Sequence, residues 1–449
     1  MRLSKLGLKI IEEANNLKRT KKALAEELSI SKSDLENVIF GRCTPKEAQN
    51  VISKMLKKYP IDAGKLQINN KDLFSPCTIF KKSDSKKSSR VFKRKNSFGK
   101  IKNYYEYRDT AMQKNVPIYP EWIKPLVVVK DNKPRNKLVC YNKGHLLHQF
   151  TFFIGEVNFY WKDNLGYHCK EMNTGDSNYI PPFIPHSFTS RNQNQLGLII
   201  AVTFADILSY SKINFSHYKR KKIENFSGSS SLKLSYFKLF IRDYLNKNFL
   251  DFSALLEKMI NYGIKKKTAC KIIEGQKNPN NLELDALSKI LEISINDIKN
   301  ICKNIPSEVV NKNFSLRSAR KICLEKALFK VWDLAKSDYT DLLKAFIMEV
   351  NSEAREYNIN HQMHEYVYNF SEQEIIVKVE GNKYILKSEE SIIFPPMVKH
   401  SFHSNLKNKN INILIVRVSE EFSQNFIHMF AGLPSASRKK IFFDVSQWF

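Results

Sequence analysis

The chain has 449 residues, 42% hydrophobic and 12% aromatic, and carries a net charge of +28 from 73 Lys and Arg against 45 Asp and Glu. This is too long for one ordinary core and too apolar for a disordered chain, so about two to four folded units are expected. No run of about 18 apolar residues occurs, which excludes a transmembrane helix; seven scattered cysteines with no CxxC pair point to a reducing cytoplasm and away from a cysteine-type zinc site. The charge suits a polyanionic partner, but Lys is spread along the whole chain, so a general Lys and Asn bias of the source is the favoured explanation.

In chain order, MRLSKLGLKIIEEANNLKRT lacks an apolar h-region and a small-residue cleavage site, and reads as an amphipathic helix rather than a signal peptide. Residues 24–61 add short amphipathic helices. The A-x-x-L-x-I-S-x-x-x-L pattern from Ala25 to Leu35 resembles a helix-turn-helix, and Gly41 is a plausible C-cap. Residues 83–97, SDSKKSSRVFKRKNS, read as a mobile or lidding connection. Strands follow, because runs such as QFTFFIGEVNFYW alternate with period two and are rich in β-branched and aromatic residues. A second linker lies around HYKRKKIENFSGSSS. Helices then return over 264–298, with Gly275 in the role of Gly41, followed by strands such as EIIVKVEGNKYIL.

The chain therefore repeats itself. PPFIPHSF (Pro181 to Phe188) matches PPMVKHSF (Pro395 to Phe402), and HLLHQF (His145 to Phe150) matches HQMHEY (His361 to Tyr366) at nearly equal offsets. The expected fold is α+β: two cupin (double-stranded β-helix) barrels, each preceded by a helix-turn-helix-like helical unit. The expected boundaries are a helical unit over 1–62, a linker over 63–97 and a first cupin over 98–215. A linker over 216–248, a second helical unit over 249–305 and a second cupin over 306–449 complete the chain.

His145 and Gln149, four apart, share one strand face, and His148 points to the other. His186 follows the Pro-rich turn on a later strand. Two imidazoles and one oxygen donor on one face of a metal is the arrangement of non-haem Fe(II) oxygenases. Here the oxygen donor is a neutral amide. Ordinary interior polar packing is the alternative, weakened by the joint recurrence of both motifs. The second copy, His361, Glu365 and His400, is the more conventional two-His, one-carboxylate set, so it is a possible second metal site; it can equally be a relic or a packing cluster.

With these residues in view, the chain resembles the 2-hydroxyethylphosphonate dioxygenase and methylphosphonate synthase family. The resemblance covers nearly the full length. It rests on NYY at Asn103 to Tyr105, N-x-G-H at Asn142 to His145, and PPFIPHSF. It implies iron(II) in the first barrel on His145 and His186. Dioxygenases of the family place a Glu six residues before the second His; Ile180 stands there and cannot bind metal. Synthases use a Gln four residues after the first His, where Gln149 stands, so the resemblance implies the set His145, Gln149 and His186, with Ile180 marking the branch. It further implies that Tyr104 and Asn142 contact the phosphonate, that an arginine before Tyr104 grips it (Arg94, with Arg90 and Lys93 competing), and that Lys18 reaches a neighbouring subunit's active site.

The implied activity is cleavage of the carbon–carbon bond of 2-hydroxyethylphosphonate with O2, giving methylphosphonate and carbon dioxide or bicarbonate. All four electrons come from the substrate, without 2-oxoglutarate or an external reductant. The other branch gives hydroxymethylphosphonate and formate. A cytoplasmic homo-oligomer, a dimer or tetramer with no membrane association, is expected. The rival from another class is a DNA-binding regulator with a cupin sensor. Its candidate recognition stretch, Lys32 to Val38, carries Asp34 and Glu36, which would face phosphates unfavourably.

Overall fold

A computed structural model describes residues 4–61, 63–66, 75–113, 118–204, 236–295, 298, 308–314, 319–324, 327–337, 342–350, 357–404, 411–419, 432–435 and 438. The chain divides into two compact units, residues 1–75 with 422–449, and residues 76–421.

The described part of the first unit is helical: α1 (Lys5–Asn16), α2 (Lys21–Glu27), α3 (Lys32–Ile39), α4 (Pro45–Lys58) and α5 (Ala63–Leu66). The starts are written in the sequence, because the side chains of Ser4, Thr20, Ser31 and Thr44 each accept a hydrogen bond from a first-turn N–H. Thr44 and Glu47 form a capping box with Pro45 behind it. The helices close over Ile10, Leu24, Leu35 and Met55. Gly7 is required by this packing: a Cβ there would lie 1.9 Å from the Ile39 carbonyl oxygen. The expected helix-turn-helix is α2 and α3, and Gly41 follows α3 with φ +70°.

The second unit holds two barrels of one topology. It begins with β1 (Thr78–Phe80) and α6 (Lys82–Lys87). β2 (Arg90–Lys95), β3 (Ile101–Asp109), β4 (Ile118–Pro125), β5 (His148–Ile154), β6 (Val157–Asp163), β7 (Gly166–Met172), β8 (Ser177–Ile180), β9 (His186–Ser190) and β10 (Leu198–Phe204) follow. A second set of helices comes next: α7 (Tyr236–Lys247), α8 (Phe252–Asn261), α9 (Lys266–Ile273) and α10 (Asn281–Leu291), packed over Leu255, Ala269 and Leu287. The second barrel is β11 (Val310–Lys312), β12 (Ala319–Leu324), β13 (Ala327–Asp333), β14 (Leu343–Val350), β15 (His364–Tyr368), β16 (Ile375–Val379), β17 (Asn382–Leu386), β18 (Ser391–Phe394), β19 (His400–Ser404) and β20 (Ile411–Val418).

The first barrel packs the sheet β11-β8-β5-β10-β4-β3-β2 against β7-β6-β9; the second packs β1-β18-β15-β20-β14-β13-β12 against β17-β16-β19. Strand for strand the orders coincide. The outermost strands are exchanged. β1 precedes the first barrel in the chain yet pairs with β18 of the second, and β11 precedes the second barrel yet pairs with β8 of the first. Each exchange covers an edge that would otherwise present unpaired N–H and C=O groups. Two side-chain bonds repeat the symmetry: Ala111 N–H donates to Ser391 Oγ at 2.8 Å, and Ala335 N–H to Ser177 Oγ at 2.9 Å. One apolar cluster, with Phe150, Phe152, Trp332 and Tyr366, spans both barrels.

The structure corrects two linker expectations. Residues 83–97 are not a mobile connection. They hold most of α6 and all of β2, which pairs with β3. Much of 216–248 lies outside the described residues, but its end is α7.

Candidate metal centre

Asn142, His145, Gln149 and His186 meet inside the first barrel. His145 precedes β5 rather than lying within it, and a tight loop delivers it. Asn142 N–H donates to the His186 carbonyl at 3.0 Å, and Phe183 N–H to the His145 carbonyl at 2.8 Å. This stitches the N-x-G-H loop to the turn before β9. Gly144 makes the approach possible, since it adopts φ +74° and a Cβ there would lie 2.4 Å from the Phe183 carbonyl carbon. The glycine of the motif is thus a packing requirement of the site.

The donor atoms are oriented from behind. His145 Nδ1 donates to the Leu147 carbonyl at 2.7 Å and His186 Nδ1 to the Ile184 carbonyl at 2.8 Å. With those protons committed, each Nε2 turns a lone pair to the interior. Gln149 is fixed too, because its amide nitrogen donates to Thr151 Oγ1 at 3.0 Å and leaves Oε1 at 3.1 Å from His145 Nε2. Two electron-pair donors face each other with no proton between them, an arrangement a cation satisfies. The His145 and His186 rings stand edge to face, centroids 5.3 Å apart. Burial, with a smaller contribution from nearby His145 and Arg94, pushes the His186 imidazole down to about 3, so it is neutral and ready to ligate at ordinary pH. Two neutral imidazoles and an amide oxygen fit a divalent transition metal.

Around them lie groups suited to an anion. Asn142 Oδ1 accepts from Gly144 N–H at 3.0 Å and from His186 N–H at 2.8 Å, so its amide N–H2 points at His186 Nε2, 3.0 Å away. Arg94, half-buried on β2, donates to the Cys140 carbonyl and lies 5.2 Å from the Tyr104 ring centroid and 4.9 Å from that of Tyr105. The competing cations are placed elsewhere. Arg90 pairs with Asp109 at 2.6 Å and Glu121 at 3.5 Å, and Lys93 is exposed.

Tyr104 and Tyr105 both reach Ser187, at 2.9 and 3.3 Å, although neighbours on a strand should diverge. The register between β2 and β3 slips at Phe92/Lys93 and leaves Tyr104 unpaired, a β-bulge that re-aims it. Burial pushes both tyrosine hydroxyls above their ordinary range, so both stay protonated. Ser187, Tyr105 and Thr151 were not named as site residues from the sequence; Thr151, two residues after Gln149 on β5, shares its face and strand alternation could have found it, whereas register and the bulge bring in Ser187 and Tyr105.

Ile180 lies directly across the β5–β8 ladder from Gln149 and is fully buried. His148 points into the opposite face, with Nδ1 2.6 Å from Tyr179 Oη and its ring stacked on Phe204, and is a core histidine. Lys18 is exposed at the end of α1, in the first unit, with φ +58°. His361, Glu365 and His400 come together in the second barrel, with ligand atoms within 4.8 Å of one another.

Comparison with known proteins follows the fold. No family model matches the chain. It is 31% identical to methylphosphonate synthase of Nitrosopumilus maritimus (strain SCM1), over 97% of this chain and 93% of that protein. A stretch of 105 residues, 23% of this chain and 50% of the relative, is 30% identical to (S)-2-hydroxypropylphosphonic acid epoxidase of Streptomyces wedmorensis. The fold is that of Streptomyces albus HEPD, solved with its substrate 2-hydroxyethylphosphonate and Fe(II): TM-score 0.82 and 24% identity, covering 99% of this chain and 98% of that one.

Proposed function

Because the chain belongs to the methylphosphonate synthase family, we propose that it converts 2-hydroxyethylphosphonate and O2 into methylphosphonate, carbon dioxide and water, the last two equivalent to bicarbonate and a proton. It is an oxidoreductase of the non-haem iron oxygenase kind with Fe(II) as cofactor; the substrate, the products and the residues are our reading. The reaction balances without a reductant, since breaking the carbon–carbon bond and oxidising the alcohol carbon to carbon dioxide releases the four electrons that dioxygen takes up.

His145, Gln149 and His186 hold the iron. When bound, Fe(II) supplies the binding and activation of dioxygen beside the substrate. Gln149 contributes no charge where a carboxylate would contribute one, so the centre keeps the full dipositive charge for an anionic substrate. The Arg94 guanidinium, the Asn142 amide N–H2 and the Tyr104 hydroxyl bind the phosphonate: all three are donors, and a phosphonate dianion offers only acceptors. Tyr104 remains protonated and can turn its hydroxyl from Ser187 to a phosphonate oxygen. Lys18 of a neighbouring subunit adds a further cation in a dimeric or larger assembly. Asn142 serves twice, donating to the substrate while its carbonyl holds the loop that delivers His145.

The observation that carries the product assignment is the pair at one rung of the β5–β8 ladder. Gln149 turns its oxygen to the site, and Ile180 opposite offers no ligand. The one-carbon phosphonate fragment left by bond cleavage then takes a hydrogen atom, released from the alcohol carbon as that carbon goes to carbon dioxide, instead of an oxygen.

Phosphorus NMR of anaerobically Fe(II)-loaded protein, given 2-hydroxyethylphosphonate and then air, tests this. A methylphosphonate signal is expected. A hydroxymethylphosphonate signal would overturn the product assignment, and unchanged substrate with iron bound would overturn the substrate.

A further inference from the structure

The second barrel carries a convergence of ligand side chains that the proposed reaction does not use. We propose that His361, Glu365 and His400 hold a second divalent transition-metal ion, independent of the first barrel and open to its own cavity.

The geometry is that of a ligand set. His400 is 1% exposed, and its ring lies flat on Phe394, centroids 4.5 Å apart at 8°. Its Nδ1 donates to the Val398 carbonyl at 2.9 Å, so Nε2 presents a lone pair. That nitrogen lies 3.0 Å from Glu365 Oε1, a gap that an imidazolium proton or a metal ion bridges. Glu365 is fully buried, and neither atom has a hydrogen-bond partner. Buried polar atoms are rarely left so; two of them facing each other mark the place of a cation.

His361 completes the set, with Nε2 2.9 Å from Glu365 Oε2. Its Nδ1 accepts from Met363 N–H at 3.3 Å, so the ring proton sits on Nε2, directed at Glu365. To ligate through Nε2 the ring proton moves to Nδ1, so the imidazole stays neutral and the long contact with Met363 N–H is given up.

Arg417 shapes the charge. It lies opposite Glu365 on β20 and donates Nε–H to Oε2, leaving Oε1 for the metal. In the first barrel the corresponding partner of Gln149 is Thr203. A carboxylate with a guanidinium carries the same net charge as an amide, so both barrels offer a metal two imidazoles and an oxygen donor of zero net charge. The site is not closed: His361 and Arg417 line a cavity of about 420 Å³ with Arg320, Asn358 and Phe346, room for a small anion beside the ion. Open positions distinguish a reactive or ligand-binding centre from a structural one.

The test is Co(II) titration of the full chain, read by visible absorption and by metal analysis after desalting. Two equivalents per chain are expected for the parent. One should survive in His145→Ala/His186→Ala, and one should be lost from the parent in His361→Ala and, as a near-isosteric second variant, in Glu365→Gln. Circular dichroism confirms folding of each. A His145→Ala/His186→Ala protein that is folded yet binds no Co(II), or a Glu365→Gln protein that keeps both equivalents, would overturn the site. A parent that binds one equivalent retained in His145→Ala/His186→Ala would support the second-barrel site and count against the first, so failures of the two readings are distinguishable.

Discussion

Replacing Thr151 by valine removes one hydroxyl and nearly no volume. In the folded chain Thr151 is fully buried and accepts from the Gln149 amide nitrogen at 3.0 Å. That bond is what holds Oε1 toward His145. Without it, the buried amide either leaves two N–H groups unsatisfied or rotates and turns them onto the His145 lone pair, where no metal can bind. Leaving a buried donor unsatisfied costs about 1–3 kcal/mol. At about 1.4 kcal/mol per tenfold this is a factor of about 5 to 150 in the population of the ligating orientation. Removing the partner of a metal ligand elsewhere costs about 10–100-fold in affinity, so the Fe(II) dissociation constant should rise by about five- to a hundredfold. Thr151→Ser keeps the acceptor and should bind nearly as the parent does. The assay is anaerobic Fe(II) or Co(II) titration in the Glu365→Gln background, so that only the first barrel reports. A folded Thr151→Val protein whose dissociation constant stays within about twofold of the parent would refute the account of how Gln149 is oriented.

Three further outcomes follow from the same geometry. The unfolded chain takes a proton on His186 near 6.5, whereas the folded chain holds it to about 3; stability of the metal-free protein should therefore fall as pH drops below 6.5, by up to about 1.4 kcal/mol per unit, until about 3. Urea midpoints at pH 7 and 5 should show a shallower loss in His186→Phe. Exchanging the oxygen donor across the ladder, as Gln149→Ala with Ile180→Glu, should retain iron and shift the phosphorus NMR products toward hydroxymethylphosphonate; unchanged methylphosphonate would remove Ile180 and Gln149 from the product decision. If Lys18 acts across subunits, mixing inactive Lys18→Ala and His186→Ala dimers should restore about a quarter of the sites, since half the dimers are mixed and each mixed dimer has one intact site.

The doubled architecture was legible because its marks are local. The Pro-Pro turns fall just before β9 and β19, and the H-x-x-x-[QE] segments fall at the starts of β5 and β15, the same places in two identical strand orders. The helix ends at Gly41 and Gly275 were legible for the same reason, since a C-cap acts within two residues, whereas the starting caps Ser4, Thr20, Ser31 and Thr44 were not singled out. The exchanged strands were not. β1 and β11 are three residues each, too short for any period; β1 lies in the stretch read as linker and β11 in the stretch read as part of the second barrel. Their pairing depends on a barrel far along the chain, which composition cannot encode.

The site divides along the same line. His145, Gln149 and His186 were candidates from spacing and became the expected iron set through the family resemblance; the structure brings them together, although the four-residue face argument is incomplete for His145, which a Gly144 turn and not strand alternation places. Arg94 could not be separated from Arg90 and Lys93 by counting, because a bulge changes which residue of β2 faces inward; ion pairs with Asp109 and Glu121 occupy Arg90. The largest difference concerns the second barrel. By residue type, His361, Glu365 and His400 make the more conventional iron site. What alters its electrostatics is Arg417, 52 residues beyond Glu365 and joined to it only by strand register. A carboxylate that already holds a guanidinium does not lower the charge of an added metal as a free carboxylate would. The ligand letters therefore suggest two unlike centres, a carboxylate site and an amide site, while the register makes them alike in charge. What distinguishes them is the surroundings: Asn142, Tyr104 and Arg94 lie around the first-barrel ligands, and the cavity of the second is lined by Arg320, Asn358, His361 and Arg417. If the proposed reaction holds, the loop before β5 and strands β2 and β3 set the first site apart from the second more than the ligands themselves do.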